Sequence, residues 1–334
     1  MTIQNSATIR FTGLTQPGGN SGNQFLQDII MGLSRSPKQL PSKYFYDAEG
    51  SHLFQQIMHL PEYYLTRCEH ELLQTHQKAI VGQIAAEGPF QLIDLGAGDA
   101  LKTKILLRQL AAQQVAVEYV PVDISGDALK ELCTALQQEM PAMPVHAIAG
   151  DYFTALDWLN NYKPGRKVLL FLGSNIGNFA PDDQVSFLKK VRASMRPKDL
   201  LLMGTDLHKD PEIILKAYDD ASGVTAAFNL NLLHRMNREL GADIQVGQFR
   251  HFALYNPQQG VMQSFLVSQV KQTITLKAAS QAFTLQAWEA IHTENSCKFT
   301  LEQVQQLGAT TGFKVDAVYQ DKNNYFADIL YAPN

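Results

Sequence analysis

Three segments of this chain each close an apolar run with residues able to grip a small, nucleotide-like molecule. The first, FQLIDLGAG (90–98), ends in Asp94-Leu95-Gly96-Ala97-Gly98. Glycines there let the backbone approach a ligand and take positive φ, and a helix following such a turn offers unpaired N–H groups. The second, EYVPVDI (118–124), places Asp123 at its end, where a carboxylate can accept both hydroxyls of a ribose. The third ends in Gly150-Asp151-Tyr152, which supplies a carboxylate and an aromatic ring for a base. A lone Gly-x-Gly is equally well an ordinary turn; three equipped ends in succession point to a nucleotide.

Two nucleotide chemistries can be set aside. A dinucleotide-binding turn needs a third small residue, and here Leu101 falls in its place. No phosphate-binding P-loop is present, so nucleoside triphosphate chemistry is disfavoured. S-adenosylmethionine (SAM) fits the pattern better.

The elements that must position these ends follow from periodicity. Helical spacing marks 100–112, 128–140 and 182–195, and apolar runs mark strands at 90–98 (running into a tight turn), 118–124, 145–151, 168–174 and 200–207. Continuous apolar strands alternating with amphipathic helices imply an α/β fold with a parallel sheet covered on both faces. The alternation stops after 207. A helix at 301–312 and two strands at 314–321 and 325–331 then resume it, the strands being close enough to form a hairpin. The expected fold is a Rossmann-like class I SAM methyltransferase sheet plus a second, substrate-binding domain. Residues 68–207 and 297–334 are assigned to the first, and 1–67 and 208–296 to the second, with 1–25 expected as a flexible arm.

Composition sets the outer limits. The 334 residues are 45% hydrophobic and 18% charged with a net charge of −4, the profile of a globular protein. No Lys/Arg block appears, which argues against nucleic acid as the main partner. No apolar stretch is long enough to span a bilayer, and the polar N-terminus lacks a signal peptide's apolar core. Cys68, Cys133 and Cys297 are scattered and odd in number, favouring idle thiols in a reducing compartment over a metal or redox site. A cytoplasmic monomer with no metal and no membrane partner is expected.

Four longer segments carry a resemblance. LPSKYFYDAEGSHLFQQIMHLPEYYLTRCE (40–69), FLGSNIGNFAP (171–181), GTDLHKDPEIILKAYDDASGVTAAFNLNLLHRMNREL (204–240) and TENSCKF (293–299) resemble the ergothioneine-pathway histidine Nα-methyltransferases. The similarity is collinear from about residue 28 to the C-terminus. It implies a SAM-dependent enzyme that trimethylates the α-amine of free L-histidine to hercynine.

The resemblance also implies roles. Gly96, Gly98, Lys102, Asp123, Asp151, Tyr152 and Gly173 match cofactor positions. Tyr63 matches the tyrosine beside the substrate amine and is the catalytic candidate. Asn178 and Tyr218 match a pair that holds the α-carboxylate, and Glu294 and Ser296 match residues that read the imidazole. Tyr46 and Phe54 match aromatic groups lining the pocket. Taken singly, each has an ordinary reading too: Tyr63, Tyr64 and Tyr218 as core aromatics, Asn178 as a turn residue, Glu294 as a solvated carboxylate. One departure stands out, for alignment of VMQSFLV (261–267) puts Ser264 where the family usually carries a ring-facing Met. That would make the pocket wall smaller and more polar. A related enzyme acting on another free amino acid or a tryptophan derivative is the alternative, and retention of Glu294 argues against it, since an indole gains nothing from a buried carboxylate.

Overall fold

The computed structural model describes residues 8–14, 21–162 and 164–334. In chain order the elements begin with β1 (Ile9–Gly13), α1 (Ser21–Ser34), α2 (Ala48–His59) and α3 (Tyr64–Ala85). An alternating run follows: β2 (Phe90–Leu95), α4 (Thr103–Ala112), β3 (Val117–Asp123), α5 (Gly126–Glu139), β4 (Val145–Ala149), α6 (Tyr152–Asn161), β5 (Arg166–Phe171), α7 (Pro181–Ala193) and β6 (Leu200–Asp206). Next come α8 (Pro211–Tyr218), α9 (Val224–Leu240), β7 (Phe249–Asn256), β8 (Val261–Ser268), β9 (Gln272–Leu276), β10 (Gln281–Leu285) and β11 (Ala290–Cys297). The chain finishes with α10 (Leu301–Thr310), β12 (Phe313–Gln320) and β13 (Phe326–Pro333). Among the described residues no helix is long and apolar enough to cross a membrane.

The chain divides into two compact units. The first holds β1, Leu65–His208 and Phe299–Asn334 around one sheet of order β1-β4-β3-β2-β5-β6-β13-β12. The strands from β1 to β6 run parallel, while β13 is antiparallel to both β6 and β12. β2 and β6 are buried along their whole length, as expected of strands covered on both faces. The strand order reverses between β2 and β5, and ligands of open α/β sheets bind beyond the carboxyl ends at such a point. Gly96 and Gly173 lie at this point, and Asp123 and Asp151 lie at the carboxyl ends of the neighbouring β3 and β4.

The N-terminal assignment needs correcting. Residues 1–25 were expected as a flexible arm of the second domain, yet Ile9–Gly13 pairs with β4 from Ile9↔Val145 to Gly13↔Ala149, as an edge strand of the main sheet. Residues 1–7 and 15–20 lie outside the described residues. IRFTG carries no apolar run because an edge strand has little to bury; polar contacts attach it instead. Thr12 Oγ1 meets His146 Nε2 at 2.8 Å, and Arg10 pairs with Glu118.

The second unit comprises residues 21–64 and Lys209–Lys298. Its three-stranded antiparallel sheet has the order β11-β8-β7, with β9 and β10 forming a separate hairpin. Burial alternates along β7 and β8, so one sheet face is covered, and α8 and α9 pack on these strands. The units join at 64/65, 208/209 and 298/299, against the expected 67/68, 207/208 and 296/297.

Candidate active site

In the first unit β2 runs out into Gly96 at φ +81° and Gly98 at φ +53°, conformations suited to glycine. Asp123 joins this turn to the end of β3. Its carboxylate accepts from Gly98 N and from Ser125 N, each at 2.9 Å. Burial raises its pKa, and these backbone donors pull the other way. Beneath the turn, Asp94 Oδ2 accepts from Thr103 Oγ1 at 2.7 Å and Tyr119 Oη at 2.8 Å, fixing the start of α4 against two strands. Burial pushes Asp94 up to about 6 despite those bonds.

Lys102 stands just ahead of α4, and its ammonium pairs with Glu69 on α3. Glu69 is fully buried and also accepts from Gly173 N at 2.8 and 3.0 Å. A methyl group on Gly173, whose φ is +77°, would stand 3.2 Å from Lys102 Nζ. One on Gly96 would stand 2.7 Å from Tyr152 Oη and 3.2 Å from Asn175 Nδ2. Lys102, Tyr152 and Asn175 therefore converge on two glycines at the switch point. Asp151 has a further task, since its carboxylate caps α6 by accepting from Phe153 N, Thr154 N and Thr154 Oγ1. Asn178 closes a short helical turn, Asn175–Asn178, in this same unit.

In the second unit an aromatic path leads to a polar cluster. Tyr46 and Phe54 pack edge to face with ring centres 5.6 Å apart, Phe54 and Tyr63 at 6.2 Å, and Tyr63 and Tyr218 at 6.2 Å. Phe228 on α9 backs both Tyr46 and Phe54. Asp47 sets the pose of α2: it caps the helix through Gly50 N and takes Asn231 and Arg238 from α9. After Tyr218 the turn is clamped by Asp220, which accepts from Ser222 Oγ, Val224 N and Thr225 N. Burial would raise this carboxyl, but the donors outweigh it and hold it at about 2.

Tyr218 Oη donates to Ser296 Oγ at 2.8 Å, and Lys298 Nζ donates to both oxygens, at 2.9 and 2.8 Å. The buried Lys298 ammonium also lies 4.6 Å from the Tyr218 ring centre, a cation–π distance. Glu294 stands opposite Ser264 in the β8–β11 ladder, and Ser296 stands opposite Met262. Burial pushes Glu294 up to about 7 against the pull of Lys298. His251 on β7 is held between Asn229 Nδ2 at 2.8 Å and the carbonyl of Tyr218 at 2.9 Å, and burial lowers its pKa. It is thereby kept neutral as a brace for Tyr218.

The structure thus gathers Tyr46, Phe54, Tyr63, Tyr218, Ser264, Glu294 and Ser296 within the second unit. The cofactor candidates and Asn178 lie in the first. Sequence reasoning missed Lys298 and Glu69. Lys298 was legible as the third member of an every-second-residue series, 294, 296 and 298, that shares one face of an extended strand. Glu69 carried no such signal, for a single Glu within a helix reads as solvated.

The model of a family described as histidine-specific, SAM-dependent methyltransferase matches residues 25–333. The chain belongs to this family. It is 39% identical over 288 residues to a histidine N-alpha-methyltransferase of Mycolicibacterium smegmatis, covering 86% of this chain and 88% of that one. It is 31% identical over 307 residues to the N-methyltransferase imqF of Aspergillus flavus, covering 90% and 82%. Ergothioneine biosynthesis protein 1 of Neurospora crassa is 30% identical over 299 residues, which cover 88% of this chain and 33% of that larger protein. As a SAM-dependent methyltransferase the chain has a fitting donor site. Glycine backbone at the switch point, the Asp123 carboxylate, the Lys102 ammonium and the Tyr152 ring have the chemistry that would suit SAM's ribose, charged amino-acid end and base.

Proposed function

We propose that this chain transfers three methyl groups in turn to the α-amine of free L-histidine, giving hercynine, the first step of an ergothioneine-type biosynthesis. The observation that carries the substrate is the polar set formed by Glu294, Ser296, Tyr218 and Lys298 on one side of the second unit's sheet. An indole has an N–H but no second ring nitrogen to accept from the Ser296 hydroxyl, whereas an imidazole offers both an N–H for Glu294 and a ring nitrogen for Ser296.

SAM supplies an electrophilic methyl group on a sulfonium. The chain's own part is mainly alignment, which contributes roughly 7–11 kcal/mol in well-oriented reactions. Glu294 and Ser296 set the ring. Tyr218, its hydroxyl turning from Ser296 to the ligand, is the neutral donor assigned to the α-carboxylate, and Asn178 is a donor of the same kind. Tyr63 is assigned to the amine, as hydrogen-bond partner while the nitrogen is uncharged and as a π-face once it is methylated. Such a face favours a cation by about 0.5–2 kcal/mol, and the adjoining Phe54 and Tyr46 rings keep the surroundings aromatic. The attacking amine must be neutral, and its proton can leave to water or through the Tyr63 hydroxyl, so no buried His/Asp relay is required.

The test is incubation of the purified protein with SAM and a panel of free amino acids, followed by mass spectrometry. Mono-, di- and trimethylated histidine are expected. Methylated tryptophan or another amino acid with no methylated histidine would replace this reading by the alternative.

A further inference from the structure

Two buried acids lie side by side under the donor site, and only one has an evident task. Glu69 holds Lys102 Nζ and Gly173 N. Asp328, in the middle of β13, is fully buried, and among the described residues no hydrogen-bond donor reaches either of its oxygens unless one of the two acids carries a proton. Its neighbours across the ladder are Gly204 on β6 and Tyr319 on β12. The Tyr319 hydroxyl is directed to Gln83 Oε1 at 2.9 Å. The charged groups acting on Asp328 are Glu69 and, more weakly, Lys102.

Gly204 shows that the pair is built into the sheet. A methyl group there would collide with Glu69 Oε1 and stand 3.2 Å from Asp328 Oδ1. Glycine inside a central strand weakens it and marks a close approach; here what approaches is the two carboxyl groups together with the edge of the Phe326 ring. Two ionised carboxylates cannot share such a space, while an acid and a carboxylate can, one proton bridging them. Burial and the Glu69 charge both raise the Asp328 pKa.

We propose that Asp328 is a neutral acid donating its proton to Glu69, and that Glu69, steadied in this way, is a positioning residue that holds Lys102 and Gly173 for the charged amino-acid end of SAM. The dyad then carries a single negative charge, which the Lys102 ammonium balances. The Glu69–Asp328–Lys102 group is then net neutral, as suits a zwitterionic partner.

Binding of S-adenosylhomocysteine, measured by calorimetry, separates this from a packing role. Glu69→Gln and Lys102→Met should each raise Kd about tenfold or more, and the double variant should be no worse than about twofold beyond either, because both remove one unit. Asp328→Ala should weaken binding comparably, and Asp328→Asn, whose amide N–H can still donate, should recover most of it. Infrared spectra of wild-type protein at pH 8, with and without a 13C-carboxyl aspartate label, should show a protonated carboxylic acid that the label shifts. That spectrum needs no variant to fold. Undiminished affinity in Glu69→Gln, additive losses in the double variant, an Asn variant no better than Ala, or absence of the acid band would each overturn the proposal.

Discussion

Ser264 and Glu294 face each other directly across the β8–β11 ladder, on the side of the sheet that is covered. A bulge between His292 and Glu294 brings them into this register, and Thr293 Oγ1 fastens it by donating to the Ser264 carbonyl at 2.9 Å. Opposed side chains of an antiparallel pair lie about 5 Å apart. The residue beside the Glu294 carboxylate is therefore a small hydroxyl. Ser264→Met should overpack this buried position, at a cost of about 1–3 kcal/mol in unfolding free energy. It should also lower kcat/KM for ring-substituted histidines more than for histidine. Equal loss for both substrates would show that Ser264 does not border the ring.

Glu294 gives the reaction a pH signature. Its carboxyl is pushed by burial from an ordinary 4.5 to about 7, so ionised Glu294, the form proposed to accept an imidazole N–H, becomes the main one only above neutrality. Histidine's own ring titrates near 6.5, and its amine also gains reactivity as pH rises. The informative quantity is thus the ratio of kcat/KM between wild type and Glu294→Gln. It should climb between about pH 6 and 8; a flat ratio would remove Glu294 from substrate binding. Glu294→Ala should weaken histidine binding while leaving S-adenosylhomocysteine affinity nearly intact.

The same shift acts on stability. Folding raises this pKa, so between 4.5 and about 7 the folded state binds more protons than the unfolded one. Stability from this group therefore falls as pH rises through that window, and the cost is full above it. Glu294→Gln should raise the unfolding free energy at pH 8 by roughly 1–3 kcal/mol and leave it little changed at pH 4. Chemical denaturation at the two values checks this, and an equal effect at both would contradict it.

The two units differed in how much of them could be read beforehand, for a physical reason. Strands β2 to β6 are covered on both faces, so each reads as a largely apolar run, and their carboxyl ends announce themselves by glycine and acid. In the second unit the covered face of β7 and β8 includes His251, Ser264 and Ser268, buried polar residues that blur the alternation. The pattern therefore did not reveal which side was inward. β1 was missed because an edge strand buries little. Glu69, Asp328 and Lys298 were missed because charged residues are usually exposed; only the fold shows Glu69 and Lys298 hydrogen-bonded, and Asp328 lodged beside Glu69, inside the protein.

Lys298 is the test of how much the polar cluster owes to one charge. Lys298→Met deletes the donor to both Tyr218 Oη and Ser296 Oγ and the one group that pulls Glu294 down. The step in the wild-type pH profile assigned to Glu294 should move to higher pH, and KM for histidine should rise at neutral pH. Lys298→Arg should not substitute, because a planar guanidinium cannot occupy the place of a compact ammonium between two hydroxyls. An unmoved pH step in a folded Met variant would mean that Lys298 is electrically remote from Glu294.

Gly96→Ala addresses the donor site alone. The residue sits at φ +81°, and its new methyl group would come within 2.7 Å of Tyr152 Oη. Backbone strain of about 1 kcal/mol for a non-glycine residue in this region adds to the displacement of that ring, whose neighbours Phe171 and Phe187 leave it little freedom. Affinity for S-adenosylhomocysteine should drop about tenfold or more, with KM for histidine far less affected. The contrast with Glu294→Ala is the point of the experiment: one variant should lose the donor, the other the acceptor. If both lost the two ligands equally, the division of labour between these residues would be wrong.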